Sequence, residues 1–97
     1  MDKKGFELGQ VLATRAITNK AKESKDFTEF VQESVRQHAS CNWGDIGEGV
    51  EAQNEQALEF GGRLISTWEH TELPKIWIIT KADRSATVIH FPGERLE

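Results

Sequence analysis

Several chemically capable side chains fall within one short stretch, residues 38–45, which read His-Ala-Ser-Cys-Asn-Trp-Gly-Asp. His38 and the single cysteine, Cys41, are three positions apart, so a helix would place both on one face. Imidazole, thiolate and carboxylate groups are zinc ligands, and a catalytic zinc site keeps about three of them. One interpretation is therefore a metal-dependent hydrolase. Its candidate ligands are His38, Cys41 and Asp45, completed by His70 and His90.

A second interpretation is nucleophilic catalysis, with Cys41 or Ser66 acting beside a histidine base and a carboxylate. Such a triad is defined by its geometry, and the sequence contains no Gly-x-Ser-x-Gly elbow. The glycines of residues 44–49 stand beside two acidic residues, which repel phosphate. We therefore expect a binding protein without catalytic residues, metal or cofactor.

The structural interpretation makes residues 38–45 a connection between two helices. His38 would end the buried face of the first helix, and Cys41 would pack as a small apolar side chain. Trp43 would enter the core, and Asp45 would cap the second helix. This interpretation explains the same residues without any ligand, and we favour it.

The elements around this connection are predicted from periodicity. Apolar residues recur at helical spacing up to about Ala39, after a start that Asp26 would cap with Glu29 as its capping-box partner. Further helices are predicted over residues 14–24 and 46–60.

The period then changes to two, which is typical of strands. The sequence predicts a single domain over residues 1–97 with an α+β fold, in which N-terminal helices pack on a C-terminal three-stranded antiparallel β-meander. Residues 6–14 are a candidate additional strand. The meander strands are predicted at 63–70, 75–80 and 85–91, with a turn at 81–84.

Charge is distributed unevenly along the chain. The formal net charge is −4, but residues 1–25 carry +3, residues 26–62 carry −7 and residues 63–97 are neutral. Nucleic-acid binders usually present a basic face, and this chain offers only a short basic N-terminal arm. Direct nucleic-acid binding through that arm is therefore a weaker alternative to a basic protein partner.

An acidic row is the most informative pattern for function. Its members are spaced 3, 3, 4 and 4 positions apart, which aligns them along one flank of a helix. A four-residue step is ~6 Å at ~1.5 Å per residue, close to the spacing of phosphates along a nucleic-acid strand. The row therefore predicts a surface that docks in a basic nucleic-acid-binding groove. Its members are Asp45, Glu48, Glu51, Glu55 and Glu59.

Four further residues are secondary binding candidates. Glu29 and Glu33 lie on the preceding predicted helix and would widen the acidic surface. Asp83 and Arg84 lie at the tip of a predicted hairpin, where loops often carry function. The alternative there is turn chemistry, with Asp83 accepting local backbone hydrogen bonds and Arg84 solvated.

The strand around Trp77 is apolar on both faces. Trp77 shares one face with Ile79, while the alternate isoleucines line the other, and Trp68 is predicted to pair with Trp77 across the sheet. One face would meet the helices. The other would meet residues 1–14 or a second copy, so a homodimer through the sheet is one expectation.

Five segments carry a resemblance to known proteins. They are Leu-Ala-Thr-Arg-Ala-Ile (12–17), residues 30–45 with their Trp-Gly-Asp, Asn-Glu-Gln-Ala-Leu (54–58), Gly-Gly-Arg-Leu-Ile-Ser (61–66), and residues 75–95 with Ile-Trp-Ile-Ile-Thr and Asp-Arg-Ser. Through these segments, nearly the whole chain resembles a family of small bacterial proteins that plasmids, conjugative elements and phages carry, described as plasmid-related proteins. Asn42 stands where that family's pattern has an aspartate, and Ala16 where it has a glycine.

The resemblance implies a setting rather than a reaction. Small proteins on mobile elements often act against host defences, so it implies an inhibitor of a CRISPR or restriction complex. A single cysteine fits a reducing compartment, and the sequence shows neither a secretory signal nor the ~20-residue apolar run of a membrane span. We expect a cytoplasmic protein without membrane partners.

Overall fold

The computed structural model describes residues 6–94 and has the predicted α+β class, with helices before the main strands. Within those residues it contains three helices and one four-stranded mixed sheet. The elements are β1 (Gln10–Ala13), α1 (Arg15–Glu23), α2 (Lys25–Ala39), α3 (Glu48–Phe60), β2 (Leu64–His70), β3 (Leu73–Thr80) and β4 (Ala86–His90).

The sheet has the strand order β1-β4-β3-β2. Strands β2, β3 and β4 form the predicted antiparallel meander. The additional N-terminal strand is also present, shortened to β1, and it pairs parallel with β4 at the edge. Residues 1–5 of the chain lie outside the described residues.

The start of α2 differs from the prediction. Ser24 caps this helix, because its Oγ accepts a hydrogen bond from the Phe27 N–H at 3.0 Å. Asp26 lies inside the first turn instead, where its negative charge faces the positive end of the helix dipole. Ser24 also ends α1, so one residue serves both helices.

Helices α1 and α2 pack on one face of the sheet around the larger apolar cluster. A smaller cluster lies between α3 and β2, and Trp43 and Cys41 join it as predicted. The fully or nearly fully buried members of the larger cluster are Ile17, Phe27, Ile76, Ile78 and Ile89.

The two faces of β3 divide as predicted, but the tryptophans do not pair. Trp68 lies opposite Ile76, and Trp77 lies opposite Thr67. Because side chains alternate along a strand, this register places the two indole rings on opposite faces. The prediction of a cross-strand tryptophan pair is therefore wrong.

Candidate functional site

The stretch 38–45 closes the outer edge of β2. The Thr67 N–H donates to the Trp43 carbonyl at 3.3 Å, and the Asp45 N–H donates to the Thr67 carbonyl at 2.8 Å. Gly44, between these two residues, forms a parallel β-bridge with Thr67. The Trp-Gly-Asp segment thus acts as a very short extra strand beside the sheet.

Asp45 extends this edge with its side chain. Its Oδ2 accepts a hydrogen bond from the Glu69 N–H at 3.2 Å. Helix α3 begins at Glu48, with Gly47 at the N-cap and no side-chain cap. The prediction that Asp45 caps this helix is therefore wrong, because its carboxylate satisfies a strand N–H instead.

Asn54 completes the closure of the edge, and sequence reasoning missed it. Its Nδ2 donates to the Ile65 carbonyl at 2.8 Å, and its Oδ1 accepts from the Ile65 N–H at 3.1 Å. The side chain is 1% exposed. The available signal was an amide side chain on the inward side of α3, near Val50, Ala57 and Leu58.

His38 is fully buried and links α2 to the sheet. Its Nδ1 lies 2.7 Å from the Ser66 Oγ, and its Nε2 lies 2.9 Å from the Thr80 Oγ1. On one side, the Trp68 Nε1–H donates to the Ser66 Oγ at 2.7 Å. On the other side, hydrogen bonds run from Thr80 through Thr87 to the Leu8 carbonyl, with distances of 2.7 and 2.8 Å.

This hydrogen-bonded chain determines which ring nitrogen of His38 carries a hydrogen. The Leu8 carbonyl can only accept, so the hydroxyls of Thr87 and Thr80 point towards it and the His38 Nε2 carries a hydrogen. When the ring is neutral, its Nδ1 atom therefore carries no hydrogen and accepts a hydrogen bond from the Ser66 hydroxyl. Burial lowers the pKa of His38 from 6.5 to about 4, because a charged ring loses its hydration there.

The candidate metal ligands are not brought together. Both ring nitrogens of His38 have hydroxyl partners, and the Asp45 carboxylate points to the β2 edge. Within residues 6–94, no group of three or more histidine, cysteine, aspartate or glutamate side chains could hold a metal ion. Ser66, the alternative nucleophile, is fully buried, so a substrate cannot reach it without local opening.

Asn42 has a local role. Its Oδ1 accepts a hydrogen bond from the Gly44 N–H at 3.2 Å, and its Nδ2 donates to the Gln37 Oε1 at 2.6 Å. An aspartate would keep the first contact, and Gln37 could rotate its amide to keep the second. The residue therefore shapes the turn before Gly44.

The two candidate residues at the hairpin tip, Asp83 and Arg84, make different kinds of contact. Asp83 accepts from the Ser85 N–H at 3.0 Å, as turn chemistry predicts, and hydrogen bonds from Ser85 lower the pKa of Asp83. Arg84 differs from the prediction, because its guanidinium is bound to the protein rather than solvated. Its guanidinium donates to the Gly62 and Ala57 carbonyls at 2.6 and 3.0 Å, at the carboxyl end of α3.

The acidic row lies on the surface. Glu48, Glu51, Glu55 and Glu59 all belong to α3 and are exposed. The inward side of α3 carries the buried Asn54 and Ala57. Asp45 precedes the helix and is exposed, although its carboxylate is engaged by β2.

The two acidic candidates on α2 are also exposed. Glu29 and Glu33 line a shallow cleft between α2 and the turn from β2 to β3. The pKa of Glu33 is lowered by hydrogen bonds from the Gln37 amide and the Arg36 guanidinium. The other residues lining the cleft are Asp26, Phe30, His70, Glu72 and Leu73.

Comparison with known proteins finds no relative of this chain. No protein-family model matches the chain, and neither the curated proteins nor the solved structures give a match. The resemblance to plasmid-related proteins stays a prediction from the sequence. No helix within residues 6–94 is long and apolar enough to cross a membrane.

Proposed function

We propose that the protein acts by stoichiometric binding and presents the acidic side of α3 to a basic nucleic-acid-binding groove of another protein. One observation carries this proposal: four exposed carboxylates follow one side of a helix that contains no lysine or arginine. From Glu48 to Glu59 the row spans ~16 Å. A basic groove would receive it with the charge complementarity that speeds and orients association.

Helix stability explains only the first half of the row, because Glu48 and Glu51 lie in the first turn of α3, where the helix dipole favours an anion. Like charges at i, i+3 and i, i+4 destabilise a helix by a few tenths of a kcal/mol per pair. Glu59 also lies in the last turn, where the helix dipole disfavours an anion. A surface retained at that cost is consistent with selection for binding.

The concrete form that we propose is an inhibitor carried by a mobile genetic element and active in the bacterial cytoplasm. Its target would be a host defence complex of the CRISPR or restriction type, whose nucleic-acid groove the α3 row would occupy. This part rests on the family resemblance. Asp45, Glu29 and Glu33 are candidates for the margins of the same interface.

The test compares two variants of equal net charge. The first changes Glu48, Glu51, Glu55 and Glu59 to Gln. The control changes Asp26 to Asn and Glu7, Glu23 and Glu72 to Gln. All eight side chains are exposed, so both variants should keep the wild-type circular dichroism spectrum.

Each protein is used to capture partners from a nuclease-treated bacterial lysate, and the captured complex is then assayed for nucleic-acid binding. We expect wild type and the control to abolish that binding near a 1:1 ratio, and the α3 variant to lose at least tenfold in affinity. Equal inhibition by all three proteins would overturn the role of α3. Capture of a partner without nucleic-acid-binding activity would overturn the proposal that α3 docks in a nucleic-acid-binding groove.

A further inference from the structure

The two edges of the sheet differ in whether their outward main-chain groups are hydrogen-bonded. The outer edge of β2 is closed at Ile65, Thr67 and Glu69 by the contacts described above. At the other edge, the N–H groups of Gln10 and Thr14 point inward to β4. Alternation along the strand then points the N–H and carbonyl groups of Val11 and Ala13 outward, and no described residue hydrogen-bonds to them.

The side chains of this open edge are apolar. Val11 is 46% exposed and Leu12 is 42% exposed, and they lie on opposite faces of β1. Only one other large apolar side chain in residues 6–94 is as exposed, Phe60 at the end of α3. An unpaired edge flanked by apolar side chains is a template for the addition of another strand.

We propose that β1 pairs with β1 of a second copy of this chain, antiparallel and about a two-fold axis at Leu12. In this register the outward groups of Val11 and Ala13 exchange four hydrogen bonds with those of the partner. The two Leu12 residues then form a non-hydrogen-bonded pair, with Cα atoms ~4.5 Å apart. The result is a continuous eight-stranded sheet.

Charge favours a second copy in this orientation. Glu7 precedes β1 and Arg15 follows it, and both are exposed. An antiparallel two-fold brings Glu7 of each copy to the same end as Arg15 of the other, whereas a parallel pairing would oppose like charges.

The sheet pattern also favours a copy of this chain over an unrelated strand. Ile65, Ile79, Val88 and Leu12 are aligned in register across all four strands on the face opposite α1 and α2. Pairing at Leu12 would continue this apolar row into the same row of the partner. Because β1 has only four residues, the interface is smaller than the ~1,200 Å² of stable complexes, so we expect a dimer in the micromolar range.

The test uses cysteine pairs in a Cys41→Ser background. Leu12→Cys places two thiols across the two-fold axis, within the ~4.4–6.8 Å Cα separation that a disulfide needs. The control is Gln10→Cys, whose two copies would lie ~13 Å apart in this register. We expect a mild oxidant to give a covalent dimer of the first protein and a monomer of the control.

A proline variant tests the hydrogen bonds themselves. Val11→Pro removes an outward N–H and leaves the hydrogen bonds between β1 and β4 in place. We expect sedimentation to show a concentration-dependent dimer for wild type and a folded monomer for Val11→Pro. The proposal is overturned by a monomeric wild type, by equal cross-linking at positions 10 and 12, or by a dimer that survives the proline and so uses another surface, such as the sheet face opposite α1 and α2.

Discussion

His38 and Ser66 form a serine–histidine pair with 2.7 Å between Nδ1 and Oγ, whereas a serine hydrolase activates its nucleophile through Nε2 and keeps Nδ1 for a carboxylate. Here both side chains are fully buried. The second ring nitrogen of His38 donates to the Thr80 hydroxyl rather than to a carboxylate. The pair therefore joins α2 to β2 and β3, and its chemical consequence is a pH-dependent stability.

The first prediction is that stability falls between pH 6.5 and pH 4. The pKa of His38 is about 4 in the folded chain, against an ordinary value of 6.5, so the unfolded chain binds a proton over this range that the folded chain does not. Stability from this group is complete above pH 6.5 and is lost as the pH falls. At pH 5 the loss is about 2 kcal/mol, measurable from urea midpoints.

The matched control is His38→Gln, which removes the titrating group and keeps a polar side chain. All other ionisable groups are the same in both proteins, so the difference between the two pH profiles isolates His38. We expect the variant to be less stable at pH 7 but to lose less stability towards pH 5. Parallel profiles would contradict a neutral, buried His38.

The second prediction concerns Asn54, which replaces a neighbouring strand at Ile65. Asn54→Leu keeps the size of the side chain but leaves the Ile65 N–H and carbonyl without their partners. Each of the two unsatisfied groups costs about 1–3 kcal/mol, so the variant should lose about 2–6 kcal/mol of unfolding free energy. Hydrogen exchange at the Ile65 amide should accelerate. Gln53→Leu, on the exposed side of the same helix, should change neither quantity.

The third prediction concerns Arg84, which holds the hairpin tip to the end of α3. Arg84→Ala should cost about 1–3 kcal/mol, because the four charge-assisted hydrogen bonds of the guanidinium to main-chain carbonyls are lost. Arg84 has a positive φ of 61°, so Arg84→Gly should cost less than the alanine variant. Lys81→Ala in the same hairpin is the control and should stay near wild type. Equal midpoints for all three variants would mean that the guanidinium contacts add nothing to stability.

The order and type of the elements could be predicted because they depend on local periodicity. The apolar spacing around Phe27 specifies α2, and the β-branched run around Ile78 specifies a central strand. The face division of that strand followed from alternation alone. The short strand β1 could also be predicted, since its sequence has no helical pattern.

The contacts that close the fold could not be predicted, because they join residues far apart in sequence. Asn54 meets Ile65, Arg84 meets Ala57 and Gly62, and the Asp45 carboxylate meets Glu69 across 24 positions. Sequence reasoning assigned Asp45 its commonest local role, a helix cap. The structure shows that an open strand edge competed for the same carboxylate.

The last prediction separates two glycines that stand five positions apart. Gly44 has a φ of +73°, and a Cβ there would come 2.1 Å from the Thr67 carbonyl oxygen and 2.9 Å from the Trp68 ring. Gly44→Ala should therefore push residues 43–45 away from β2 and cost about 3 kcal/mol or more. Gly49, in the first turn of α3, has no atom within 4 Å of such a Cβ.

Gly49→Ala should instead stabilise the protein by about 0.5 kcal/mol, since it reduces the freedom of the unfolded chain. Thermal unfolding of both variants measures the contrast. Exchange of the Thr67 and Glu69 amides should accelerate only in Gly44→Ala, because those N–H groups bond to the Trp43 carbonyl and the Asp45 carboxylate. Unchanged protection there would mean that β2 keeps its outer edge closed without the Trp-Gly-Asp segment.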